Sequence, residues 1–156
     1  MGTESCGDGI HSVPTILKFP YICQMDQTFG KEYKLCSQKK IDLLFKTGKL
    51  AKKFPIIVHY QETEETLTAP FQIVISAPKR IFRKAHERNR IKRLLRETVR
   101  KNKIILESFL NGREKSLLLF LVYTNKEELP YDILLKKTEQ LFKLVIQNIE
   151  ENDTSL

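Results

Sequence analysis

Between Lys79 and Lys103 the chain places 12 Lys or Arg residues and only two acids, Glu87 and Glu97. These 25 residues carry a net +10, whereas the whole 156-residue chain carries +8, so everything outside them sums to −2. A chain that is near neutral except in one stretch has a localised cationic surface, the electrostatic footprint of a polyanion binder. Arginine dominates the middle of the segment. A guanidinium fork pairs bidentately with phosphate oxygens and stacks on bases, whereas lysine offers a point charge. The chemistry on offer is recognition of a phosphate backbone, with affinity that falls steeply as salt rises.

The same residues are poorly suited to hydrolysis. Two carboxylates in the basic segment are too few for a two-metal carboxylate site. His11, His59 and His86 are isolated, with neither HxH nor HExxH spacing. His86 reads as an RNA contact or a helix cap. Cys6, Cys23 and Cys36 form no CxxC pair. Cys6, His11 and Cys23 could meet around a metal, but the spacing favours free thiols in a reducing cytosol. The site residues therefore read as binding residues, with no catalytic group and no metal ligand among them.

A helix must carry the charge. From about His86 to Phe109, at roughly 100° per residue, Ile91, Leu94, Leu95, Thr98, Val99, Ile105, Leu106 and Phe109 share one sector. Asn89, Lys92, Arg93, Arg96, Arg100 and Lys103 lie opposite, with Arg90 and Lys101 extending their side. A solvated helix face ordinarily mixes signs, because Glu–Lys pairs at i, i+4 support a helix and like charges oppose it. Here the acids are nearly absent. Lys79, Arg80, Arg83 and Lys84 precede the helix and continue the patch.

Other elements surround this helix. A helix from about Ser37 to Thr47 is expected, with Ser37 as N-cap, Ile41, Leu44 and Phe45 on one face, Lys39, Lys40 and Lys46 mostly on the other, and Gly48 ending it. Strands are expected over 54–61, 71–76 and 117–123 from their β-branched and apolar runs, and Glu62 to Thr66 reads as a loop. Asn111-Gly112 should close the basic helix, and Pro130 should introduce a last helix over about 131–148. The order implies one α/β (α+β) domain, a two-layer sandwich with a single mixed sheet of about four strands and three helices. Residues 1–27 read as a partly disordered N-terminal extension, 28–149 as the polyanion-binding domain and 150–156 as a tail. The acidic start and its prolines argue against a signal peptide, Cys6 stands where a myristoylation start needs Ser or Thr, and no apolar run reaches membrane length. The expected compartment is the cytoplasm.

The run Ala85-His86-Glu87-Arg88-Asn89-Arg90-Ile91-Lys92-Arg93-Leu94-Leu95-Arg96-Glu97 resembles the signature of the bacterial ribonuclease P protein subunit. The strand leading to Pro78-Lys79-Arg80, and the helix ending Leu44-Phe45-Lys46-Thr47-Gly48, agree with that family in order and spacing. The resemblance spans roughly residues 28 to 149. It implies a ribonucleoprotein endonuclease that removes the 5′ leader of precursor tRNA, with the hydrolysis and its magnesium ions in the RNA subunit. It also implies an unusual left-handed βαβ crossover. The partners implied are the catalytic RNA and precursor tRNA, with no membrane and no DNA. By resemblance Arg88, Asn89, Arg90, Lys92, Arg93 and Arg96, extended by Arg100, Lys79, Arg80, Arg83 and Lys84, face the catalytic RNA. The leader would lie in a cleft between the opening helix and the sheet. Phe45 matches a family aromatic there, Ile41 stands where another aromatic is common, and Lys39 and Lys40 flank them. Either Ile73 with Ile75 or Val74 with Ser76 lines the cleft, depending on register, and the first pair is the assignment carried forward. The alternatives are a stand-alone RNA-binding or ribosomal protein and a DNA binder using the same helix.

Overall fold

The computed structural model describes residues 29–155, so the expectations for the N-terminal extension and for Cys6, His11 and Cys23 lie outside the described residues. A 3-10 turn, Lys31–Tyr33, leads into α1 (Gln38–Thr47). The strands β1 (Lys49–Lys53), β2 (Ile56–Thr63) and β3 (Phe71–Ser76) follow. The long basic helix α2 (Ala85–Leu110), strand β4 (Ser116–Tyr123) and α3 (Tyr131–Thr154) complete the chain.

The four strands form one mixed sheet in the order β1-β2-β4-β3. Pairing is antiparallel from β1 to β2 and from β2 to β4, and parallel between β3 and β4. The parallel pair is joined by a crossover through α2, which packs on the sheet with α3.

Side chains alternate between sheet faces. Val58, Tyr60, Leu119, Leu121, Tyr123, Phe71 and Ile73 point to the α2/α3 side and are buried. The helices answer with Ile91, Leu95, Val99 and Leu106 from α2 and Leu134, Leu141, Phe142 and Val145 from α3. Two polar bridges fix the helix pair inside this core. Thr138 Oγ1 donates to Thr98 Oγ1 at 3.0 Å, and Asn102 Nδ2 donates to the Leu135 carbonyl at 3.0 Å.

The other face is covered only in part. α1 lies over one end of it through Leu44, which joins Leu35, Leu67 and Leu118 in a small second core. Ser37 caps α1, its Oγ accepting from the Lys40 amide at 3.5 Å. Gly48 ends it at a close approach: a Cβ there would run into the Leu44 carbonyl. Gly112 ends the α2 region differently, at φ +86°, in the left-handed region open to glycine.

Three elements depart from the sequence reading. β1 is a strand that the sequence did not announce; it forms by pairing with β2, whose regular part begins at Ile56 rather than at residue 54. The residues expected as a tail continue α3 through Thr154, held by Gln147 Nε2 to Glu151 at 3.1 Å and by an ion pair from Arg113 to Asp153. Lys103, expected on the outer face of α2, is 4% exposed. Its ammonium lies 4.8 Å from the centre of the Tyr33 ring and 3.6 Å from Glu107, whose other contact is the Tyr33 hydroxyl. The 3-10 turn brings Tyr33 onto this α2 pair, so Lys103 is a core cation rather than a surface one.

Candidate nucleic-acid interface

The outer face of α2 is built as its periodicity dictates. Ile91, Leu95, Thr98, Val99 and Leu106 are buried, leaving Asn89, Arg90, Arg93 and Arg96 exposed and Lys92 half-exposed. The cations differ in what they touch. Arg88 Nη1 donates to the carbonyls of Phe82 and Arg83, both at 2.9 Å, so this guanidinium ties the β3–α2 connection to the first turn of the helix. Phe82 secures the same connection from the other side, buried and 5.8 Å from the Tyr123 ring. Lys79, Arg80, Arg83 and Lys84 are thereby held exposed beside the start of α2. Lys84 is the N-cap residue and no side chain caps the helix, so exposed His86 is not a cap.

Arg90 Nε pairs with Glu128 at 2.6 Å, and Arg100 Nε with Glu97 at 2.9 Å. The Glu97 carboxyl is held below its ordinary range, first by the hydrogen bond from Arg100. Lys92, Arg93 and Arg96 have no acidic partner among the described residues, which leaves them available to an anion.

On the opposite sheet face α1 leaves one half open. There Phe45, 48% exposed, meets the Phe120 ring edge-on at 4.6 Å and the His59 ring at 4.8 Å. His59 and Phe120 are register partners on β2 and β4. Ile57 and Val122, the next pair on the same face, are also half-buried. Desolvation lowers the His59 pKa, so at neutral pH this face carries a neutral imidazole among carbon-rich rings. Flat exposed rings of this kind can stack on unpaired bases.

Neither His59 nor Phe120 was singled out by the sequence. Phe120 lies in a run of seven apolar residues, where alternation is invisible. His59 could have been found from the alternation of Ile57, His59 and Gln61 against Val58 and Tyr60.

The expected leader residues separate. Phe45 is on the open face. Ile41 packs against the small core and lines a groove of about 590 Å³ at the β3 edge, together with Lys34, Val74, Lys92 and Arg96. Lys39 is exposed, and Lys40 pairs with Glu65 at 2.8 Å. Ile73 and Ile75 do not face α1. Their register partners are Leu119 and Leu121, which place them with the α2-side core, so they meet the groove only along the strand edge. Val74 and Ser76 take the α1 side instead.

The ribonuclease P family model matches residues 29–145. The chain belongs to the ribonuclease P protein family. A ribonuclease P protein component from Porphyromonas gingivalis is 36% identical over 106 residues, covering 66% of this chain and 76% of the relative. The Staphylococcus aureus ribonuclease P protein structure aligns with TM-score 0.59 at 18% identity, over 72% of this chain and 94% of that one. The Thermotoga maritima protein aligns with TM-score 0.57 at 22% identity, over 70% and 94%. As a ribonuclease P protein component, the chain is part of a ribonucleoprotein endoribonuclease of tRNA processing, and an RNA is its partner in the holoenzyme. The stand-alone reading gains no support. No helix among the described residues is long and apolar enough to cross a membrane.

Proposed function

We propose that the two surfaces divide the RNA between them: the cationic face of α2 holds the catalytic RNA, and the open sheet face holds the single-stranded leader of precursor tRNA. The observation that carries this is the pairing of an aromatic cluster, exposed Phe45 over half-buried His59 and Phe120, with a cationic helix on the other side of the same sheet. Lys92, Arg93 and Arg96 make the direct phosphate contacts. Arg90 and Arg100 join them by exchanging Glu128 and Glu97 for phosphate. Arg88 positions the connection that displays Lys79, Arg80, Arg83 and Lys84.

Bases of the leader stack on the platform, which favours precursor over mature tRNA because only the precursor has those bases. Lys39 and Ile41 border the path. Hydrolysis belongs to the RNA subunit with magnesium. The exposed side chains of α2 are mostly cationic, a surface that would repel magnesium and attract phosphate. The protein's cations screen RNA phosphates instead and lower the magnesium needed. The compartment proposed is the cytoplasm.

Reconstitution tests this reading. The protein added to bacterial ribonuclease P RNA at low magnesium should restore precursor cleavage, while protein without RNA should cleave nothing. Phe45→Ala should weaken precursor-over-mature discrimination by about 1–3 kcal/mol if one base stacks there. Unaltered discrimination would place the leader elsewhere.

A further inference from the structure

The most exposed large apolar side chain among the described residues is Phe54, at 66%. It occupies the turn between β1 and β2, directly after Lys52 and Lys53. The turn is anchored: the Thr124 amide and hydroxyl both donate to the Pro55 carbonyl at 2.8 Å. An aromatic displayed on a fixed turn loses little freedom when it stacks on a partner.

The sheet register shows where the turn lies. Ile56 pairs with Tyr123 at the end of β4, and Ser76 at the end of β3 pairs with Val122. The β1–β2 turn therefore shares one end of the sheet with the connection that carries Lys79, Arg80, Arg83 and Lys84. The open half of the α1 face leads to the same end. From the ring pair His59 and Phe120, the next pair is Ile57 and Val122, and Lys52 is the register partner of Ile57. A chain lying on the platform and continuing along β2 meets Lys52 and then Phe54. Phe54 lies five positions before His59, the first two of them in the turn and the rest along β2, a span of at most roughly 17 Å. The acids at this end are Glu87 and Asp132, in the first turns of α2 and α3, and Glu127 and Glu128, the last engaged by Arg90.

We infer that Phe54, flanked by Lys52 and Lys53, is a second stacking site for the leader, taking an unpaired base several nucleotides beyond the one on the platform. This rests on the leader reading of the open face and extends it to leader length. Lys52, on the face of Ile57, supplies a phosphate contact ahead of the stacked base, Lys53 adds charge at the turn, and the intervening strip of Ile57 and Val122 gives a path without acids.

The test measures precursor-tRNA affinity of the reconstituted holoenzyme with leaders from two to twelve nucleotides. Phe54→Ala should bind short-leader precursors like the unaltered protein and long-leader precursors about fivefold or more weakly, the low end of one stacked base. Phe54→Trp should restore the long-leader affinity. Phe45→Ala should lose affinity at every length that reaches the platform. Equal binding by Phe54→Ala at all lengths, with the Phe45→Ala loss intact, would overturn the second site and leave the platform standing. Weaker binding of Phe54→Ala to the catalytic RNA alone would overturn it in favour of a contact to that RNA. Absence of any leader dependence in the unaltered protein would overturn the platform reading and this inference together.

Discussion

The availability of Arg93 and Arg96 makes the double substitution Arg93→Ala/Arg96→Ala a measure of how this protein holds its RNA. Both guanidiniums are exposed on α2 without an acidic partner among the described residues, so their removal breaks no ion pair there and leaves the buried stripe of the helix intact. If each neutralises one phosphate, the slope of log affinity against log salt should shrink by about 0.7–0.9 per residue. At 0.15 M salt two such contacts correspond to about a 15- to 30-fold loss, or about 1.6–2.0 kcal/mol, shrinking to about threefold near 0.5 M. Filter binding to ribonuclease P RNA across that range reads the loss and the slope together. Arg88→Ala is the contrast. Arg88 spends its donors on the Phe82 and Arg83 carbonyls, so its loss should loosen the β3–α2 connection and change the slope less. A double variant with unchanged slope, or one weakened equally at every salt, would refute phosphate contact by these two residues.

Other outcomes follow from the same geometry. Glu128→Gln frees Arg90, whose side chain is 68% exposed, and should tighten RNA binding at low salt by about two- to fivefold, the scale of one exposed ion pair; weaker binding in a filter assay would contradict it. Lys103→Ala leaves Glu107 buried beside Tyr33 without its cation, and should cost about 3–5 kcal/mol in denaturant unfolding while leaving the RNA salt slope alone. Burial depresses the His59 pKa below its unfolded value of 6.5, so the unfolded chain takes up a proton that the folded chain refuses. The protein should therefore be fully stabilised by this group above pH 6.5 and lose that stability as pH falls through the folded pKa. His59→Phe should flatten that part of the pH dependence of the melting temperature, and a slope retained in the variant would assign it to another group.

How much of this was legible depended on whether a pattern was local. α2 could be read to within a residue or two because apolar positions recur around a helix, and neighbours on a helix are neighbours in sequence. β1 could not. Lys49-Leu50-Ala51-Lys52-Lys53 has no β-branched residue, only Ala51 is buried, and its strand character is conferred by β2. The choice between Ile73 with Ile75 and Val74 with Ser76 had the same origin. β3 alternates Phe71, Ile73 and Ile75 with Gln72, Val74 and Ser76, and the pattern alone does not say which layer covers which set; the register against β4 decides which set meets α1. Lys103 is a different failure. A helical wheel gives direction from the axis, but says nothing of what a distant segment brings to that direction. Tyr33 arrives from 70 positions upstream and turns an outward cation into a buried one.

The two sheet faces also explain why binding on both sides can be specific in so small a domain. The side chains that would touch the leader and those under the catalytic-RNA helix alternate along the same strands: His59 lies between Val58 and Tyr60, and Phe120 between Leu119 and Leu121. Val58, Leu119 and Leu121 are fully buried beneath α2 and α3, and Tyr60 is 3% exposed. Close packing at such positions resists even small displacements. The aromatic platform therefore cannot shift relative to the cationic helix without disturbing the core between them. On the proposed reading, a leader base stacked on Phe45 would then sit at a fixed offset from phosphates bound by Arg93 and Arg96, and the rigid sheet between them would set where the RNA subunit meets its substrate.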